Sequence, residues 1–440
     1  MIRSYHSISL LVVFAVATLS VACSGGGVSP GNSVSDGASA GGSGGTSGGG
    51  SGGTSGGGSG GARAMDARGG GDAAGLDSRV PAGTADGPPG GMTWTGTWAS
   101  SPQGCGGAFT GRTLREIVHT SIAGTSARVR ISNTFSGGPL QIRDVHLAQR
   151  TTGSSIDAAT DKALTFAGSP DVTIPAGMFA ISDGADFAVR ALSDVAVSFF
   201  VVSNSGATCH NAGFQTNYSV AGNMVSSAAL AGAQTNASYF FLSNLDVLNP
   251  AAEGAVVTLG ASITDGFQAP SNANRRWPND LAVRLVMGNR AIGVLNQGIS
   301  ADGVRNAIAR FDRDVLSQPN VRWVIFSDNP INDLGGGRAT AQAEIDGIRT
   351  MITRAHDRGV KFLCSTLTPF VPSEPARSMV NTFIRSAASG CDGIVDQDTA
   401  THNPAAPTQW LPAFNSGDSL HPNVAGLQAI ADAVSFDLFR

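Results

Sequence analysis

Ser262 stands between an apolar run, Ala255-Val-Val-Thr-Leu259 followed by Gly260-Ala261, and the segment Ile263-Thr264-Asp265-Gly266. A hydroxyl is a poor nucleophile unless a base removes its proton. Far along the chain, Asp418-Ser-Leu-His421-Pro422 supplies a candidate base and its orienting partner. A carboxylate at 418 accepts the Nδ1–H of His421 and leaves Nε2 free for Ser262, the division of labour of a hydrolytic triad. Acyl transfer also needs donors for the developing oxyanion. Two polar segments qualify: Asn296-Gln297-Gly298, and Asn332-Asp333 within Asn329-Pro-Ile-Asn-Asp333.

Other titratable residues have a weaker pattern. His210, beside Cys209, reads first as a structural histidine, with a reach into the site from the first half of the chain as the minor alternative. His119, His146, His356 and His402 show no partner spacing and read as structural or solvated. Asp265 and Asp333 neighbour the site, but no metal-ligand spacing surrounds them, so neither a metal nor a cofactor is expected. Trp277 and Arg275-Arg276 follow the nucleophile segment and line either a substrate groove or plain surface. Gly41-Gly-Ser43-Gly-Gly45 matches G-x-S-x-G in form only, because no strand-turn-helix surrounds it.

These residues need elements that bring them together. From Trp94 to about Leu248 short alternating runs such as Val129, Ile131, Leu140, Ile142, Val145 and Leu147 are broken by turn signals at Gly137-Gly-Pro139 and Pro175-Ala-Gly177. Helical periodicity is absent, and an antiparallel β-sandwich over 92–249 follows. Beyond Pro250 the pattern changes. Ala255–Leu259, Ile292–Leu295, Val321–Phe326, Val360–Leu363 and Gly393–Val395 read as buried strands. Helical stretches at Val304–Leu316, Ala339–Arg358, Arg377–Ser389 and about Pro422–Leu438 alternate with them. That alternation predicts a three-layer, flavodoxin-like α/β domain over 250–440, with a parallel sheet and sites at the strands' carboxyl ends.

On these blocks the chain resembles the GDSL, or SGNH, hydrolase family. Gly260-Ala-Ser-Ile-Thr-Asp-Gly266 is similar to its nucleophile block, Asn296-x-Gly298-Ile-Ser to its second, Asn332-Asp333 to its third, and Asp418-x-x-His421-Pro to its last. The resemblance implies Ser262 as nucleophile, His421 as base and Asp418 as its partner. It also implies an oxyanion hole from Ser262 N–H, Gly298 N–H and the Asn332 side chain. Two positions depart from the family: Ala261 where aspartate is usual, and Pro330 where glycine is usual. The first half resembles, at Trp94-Thr-Gly-Thr-Trp98-Ala-Ser-Ser-Pro102, Leu114–Val118 and Val129–Asn133, the β-rich domain that precedes the catalytic domain in some bacterial members.

Composition narrows the setting. Of the 440 residues, 59 are glycine, and the stretch Ser24–Gly91 is dominated by glycine and serine. It has too little apolar surface to offset chain ordering, so 23–91 reads as a disordered linker. Residues 1–22 read as a secretory signal, with Arg3 before an apolar core from Ile8 to Val16. Leu19-Ser-Val-Ala-Cys23 resembles a bacterial lipobox, which implies a lipidated Cys23 and an envelope lipoprotein, otherwise a secreted protein. Four cysteines remain, Cys105, Cys209, Cys364 and Cys391, and pairing within each half is the simplest of three connectivities. A net charge of −4 gives no basic footprint for nucleic acid. The membrane is then engaged only through a lipid anchor, and the partner is a small-molecule or polysaccharide ester. The expected function is a surface-anchored or secreted serine ester hydrolase. Two competitors are a glycan-binding protein with a degenerate hydrolase domain and a structural surface protein on a tether.

Overall fold

A computed structural model describes residues 92–440. The signal, Cys23 and the glycine-rich linker lie outside the described residues. Between Trp94 and Leu248 the short alternating runs become strands, with a single 3-10 turn at Ala158–Thr160. One sheet runs Trp94–Ala99, Leu242–Leu248, Gly124–Ser132, Phe179–Ile181, with Ala185–Val189 also paired to Gly124–Ser132. A larger sheet is built around Arg112–His119, Asp194–Ser203 and Leu140–Gln149, and its pairings are antiparallel too. Val129, Ile131, Leu245 and Val247 of the first sheet share one core with Leu114, Val118, Ile142, Val195 and Phe199 of the second. Period-2 alternation buries one face of each strand, so two such faces must meet. A small third sheet joins Gln103–Cys105, Ala207–His210 and Tyr239–Phe240, and the Cys105–Cys209 disulfide crosses its first two strands.

The second half carries five parallel strands: Gly254–Gly260, Ile292–Gly298, Val321–Phe326, Lys361–Ser365 and Gly393–Val395. Their spatial order is second, first, third, fourth, fifth, the flavodoxin-like order, whose switch point lies between the first and third strands. Continuous runs such as Ala255-Val-Val are buried on both faces, as a sheet covered by helices requires. Helix Trp277–Met287 packs on helix Val424–Asp432, while helix Val304–Phe311 packs on Ala341–His356, which in turn meets Ala376–Arg385. The second disulfide joins Cys364, in the fourth strand, to Cys391 just before the fifth.

Several boundaries differ from the sequence reading: the helix expected to Ser389 ends at Arg385, and the last helix ends at Asp432 rather than Leu438. The helix expected over Val304–Leu316 stays α-helical only to Phe311 and closes with a π turn at Asp312–Leu316. The last helix starts at Val424, because Asn423 caps it by accepting the Gly426 N–H, so Pro422 precedes the cap rather than opening the first turn.

The strand Ile292–Gly298 is an edge of the parallel sheet, and the β half covers it. Strand Trp94–Ala99 lies alongside. Ser121 Oγ accepts the Val294 N–H at 3.0 Å, Asn320 Nδ2 donates to Thr95 Oγ1 at 2.9 Å, and Asn244 Nδ2 donates to Gln318 Oε1 at 2.6 Å. A side chain at Gly293 would collide with the Gly96 carbonyl, so glycine is what permits this approach. An edge strand left open is a template for unwanted pairing; here the first half closes it.

Candidate active site

Ser262 opens a four-residue helical turn, Ser262–Asp265, at the carboxyl end of the first parallel strand. The turn is held by a carboxylate from the third strand's end. Asp328 Oδ1 accepts the Ala261 N–H at 3.0 Å and the Thr264 hydroxyl at 2.6 Å, and its Oδ2 accepts the Ile263 N–H at 2.8 Å. The two amides flanking Ser262 are thus tied to one buried group. Where the family resemblance leads one to expect an aspartate at 261, the carboxylate arrives from 328 instead. Nothing in the local spacing around Asp328 signals this.

Ser262 Oγ lies 2.9 Å from His421 Nε2, and His421 Nδ1 lies 2.6 Å from Asp418 Oδ2. Asp418 Oδ1 also accepts the N–H groups of Leu420 and His421, at 2.9 and 2.8 Å. The carboxylate therefore closes its own tight turn, in which Ser419 takes a left-handed φ of 63°, while orienting the imidazole. Partial burial raises the Asp418 carboxyl pKa, but the His421 N–H, the imidazole and the Leu420 N–H outweigh it and hold it down to about 2. The Phe267 ring leans on the imidazole, centroids 4.5 Å apart.

A histidine beside an aspartate is not rare in this protein. His119 pairs with Asp194, His146 with Asp161, His356 with Asp392, and His402 approaches Asp398. The sequence reading gave these four no partners. Most of the partners come from other strands or loops, so local spacing hides them. Among the described histidines, His421 alone sets an aspartate on one ring nitrogen and a serine hydroxyl on the other.

The oxyanion corner differs from expectation at Gly298. Its N–H is taken by Asn296 Oδ1 at 2.9 Å, while Asn296 Nδ2 donates to the Thr264 carbonyl at 2.8 Å. A Cβ at 298 would run into the backbone of Asp265, so this glycine serves close packing of the strand end beneath the nucleophile turn. Three residues on, Ala301 adopts φ 65°, is exposed, and its N–H has no partner among the described residues. Asn332 reaches the same turn, donating one Nδ2–H to the Asp302 carbonyl at 2.9 Å and keeping the other. Pro330 sits in the first turn of helix Asn329–Gly335, where a missing N–H costs nothing.

Beneath the corner lies Arg310, 5% exposed. Its guanidinium donates to Asp302 Oδ2, Asp314 Oδ2, the Gln297 and Gly260 carbonyls and Ser101 Oγ. One cation thus gathers the ends of the first two strands, the 299–303 turn and a residue of the β half. Burial raises the Asp302 pKa even against Arg310. His210 also reaches the nucleophile turn from the β half, with Nε2 3.0 Å from Asp265 Oδ1. Trp277 is fully buried, its Nε1–H 3.3 Å from Thr264 Oγ1, so it supports the turn from below and lines no groove. Arg275 pairs with Asp280 at 2.9 Å, and Arg276 is largely buried.

The parallel sheet, its helical layers and a site at its carboxyl edge define a three-layer α/β hydrolase domain. Residues 258–429 match the model of the GDSL-like lipase/acylhydrolase family. That segment belongs to the family, and the protein is an ester-hydrolysing enzyme. No curated protein sequence matches the chain. Solved structures similar to it include a GDSL-like lipase from Bacteroides thetaiotaomicron, 17% identical over 42% of this chain and 88% of that one, TM-score 0.34. Another is Axe2, an acetylxylan esterase from Geobacillus stearothermophilus, 20% identical over 42% of this chain and 93% of that one, TM-score 0.33.

Proposed function

We propose that the protein is a serine carboxylester hydrolase in which Ser262 is the nucleophile, His421 the general base and Asp418 its orienting partner. The observation that carries this reading is the unbroken line Ser262 Oγ, His421, Asp418, at 2.9 and 2.6 Å. Oγ attacks the ester carbonyl as its proton passes to Nε2, and the C–O bond to the alcohol breaks as Nε2 returns that proton to the leaving oxygen. A water, deprotonated by the same nitrogen, then cleaves the acyl-enzyme to free acid. The Asp418 carboxylate, ionised down to about pH 2, stabilises the imidazolium of both steps. The Ser262 and Ala301 N–H groups and the second Nδ2–H of Asn332 are the oxyanion donors we assign.

The substrate is an ester of a small acyl group, with acylated carbohydrate the favoured alcohol side. The leader, the lipobox-like Cys23 and the linker support an enzyme exported and anchored at the cell envelope, and the two disulfides suit an oxidising compartment. A fluorophosphonate probe tests the mechanism. The label is expected on the peptide containing Ser262, and Ser262→Ala is expected to abolish both labelling and p-nitrophenyl acetate hydrolysis with the fold intact. Turnover that survives Ser262→Ala overturns the assignment. A panel of acetylated xylan and a long-chain ester reads out the substrate class.

A further inference from the structure

His210 ends the strand Ala207–His210 in the β half and is 4% exposed. Its Nδ1 faces the Ser101 carbonyl and its Nε2 faces Asp265 Oδ1, each at 3.0 Å. Both partners are acceptors, so the ring meets both when each nitrogen carries a hydrogen. Asp265 is equally buried and stands three residues after Ser262, in the same helical turn. Its second oxygen accepts two bonds from Ser300, the N–H at 3.0 Å and the hydroxyl at 2.8 Å. Ser300 immediately precedes Ala301, whose left-handed φ is sterically disfavoured for an alanine. Three side chains therefore run unbroken from the β half to the turn that carries an oxyanion donor. The strand they start from is itself fastened, because Cys209, next to His210, is bonded to Cys105.

We propose that His210 is a positioning residue for ester hydrolysis: it fixes the Asp265 carboxylate, which through Ser300 sets the turn that presents the Ala301 N–H to the oxyanion. The β half is thereby part of the catalytic apparatus rather than a neighbouring module. The inference rests on Ser262 being the nucleophile, and it deepens that reading by assigning what aligns the site around it. A group that acts this way stabilises the transition state and leaves the bound substrate unaffected. Its loss lowers kcat and spares KM.

The test uses the full chain with p-nitrophenyl acetate. His210→Ala is expected to lower kcat by ~10–100-fold, somewhat less than the ~10²–10³ for deleting an oxyanion donor outright, with KM little changed. The inhibition constant of a phenylboronic acid, which forms a tetrahedral serine adduct, is expected to rise by a similar factor. Ser300→Ala is the gentler second variant, since it keeps the backbone donor and leaves His210 and Asp265 paired. It is expected to lower kcat in the same sense. Because both side chains act through Asp265, the double variant is expected to lose less than the product of the two single losses. Wild-type kcat in folded His210→Ala and Ser300→Ala, a rise in KM alone, or losses that multiply would each overturn the link. Activity surviving in Ser262→Ala instead strikes the functional reading itself, so the two failures are told apart.

Discussion

Glu344, in the first turn of helix Ala341–His356, is 2% exposed, and its Oε2 is buried with no hydrogen-bond partner among the described residues. Burial, with Asp333 adding repulsion, raises its carboxyl pKa from 4.5 to about 8. Between those two values the folded chain binds more protons than the unfolded one, so this group's contribution to stability is complete below pH 4.5 and is lost as pH rises through about 8. Glu344→Gln removes that titration. Thermal or urea unfolding should show the variant close to wild type near pH 4.5 and more stable near pH 9 by up to a few kcal/mol, the size that a shift of several pKa units implies. Parallel stability curves for the two proteins would falsify the linkage. At the same scale, what was legible in the sequence follows from what each atom bonds. Ser262, Asp418 and His421 lie at strand and helix ends with a spacing that chemistry requires, and the structure brings them together. Gly298 misled because the fate of its N–H is decided by Asn296, and a glycine carries no side chain to announce its partner.

At the scale of elements, the five strands were legible because each is a short, largely apolar run between turn signals. The missing elements were helix Trp277–Met287, 11 residues long, and short ones such as helix Asn329–Gly335 and the hairpin of His402–Asn403 with Ala406–Trp410, whose periodicity is too brief to read. The polar joints were hidden for another reason. Arg310 joins residues drawn from five separate segments, and only its i,i+4 partner Asp314 is local. Removing that cation leaves Asp302 and Asp314 buried with fewer partners, and breaking a buried pair costs ~3–5 kcal/mol. Arg310→Met should therefore lower unfolding stability by that order in urea. Arg349→Ala, which breaks an exposed pair with Asp346 at 3.4 Å, should change it by less than ~1 kcal/mol. Equal effects for the two variants would mean that the buried joint holds nothing together.

For the whole molecule, the boundary drawn near residue 250 from the change of periodicity separates two cores, one between antiparallel sheets and one around the parallel sheet. The described residues nevertheless fall within one compact unit. Period and burial are local signals, whereas the seam depends on Ser121, Asn244, Gln318 and a pair of facing glycines, none of which looks unusual along the chain. Gly293→Val tests the seam. The added side chain has nowhere to go but into the Gly96 backbone, so a fall in melting temperature of at least several degrees and faster proteolysis between the halves are expected, at the ~1–3 kcal/mol typical of overpacking or above. A melting temperature equal to wild type would show that the seam gives way freely.

The Cys364–Cys391 bond encloses the turn at Phe370–Pro375 and the helix Ala376–Arg385, which lie between the fourth and fifth strands. Phe370 leans on Gly335, at the end of the helix that bears Asn332. A single break in the enclosed stretch therefore releases no fragment: both new ends stay covalently tied to the sheet, one through the main chain and one through the sulfur bridge.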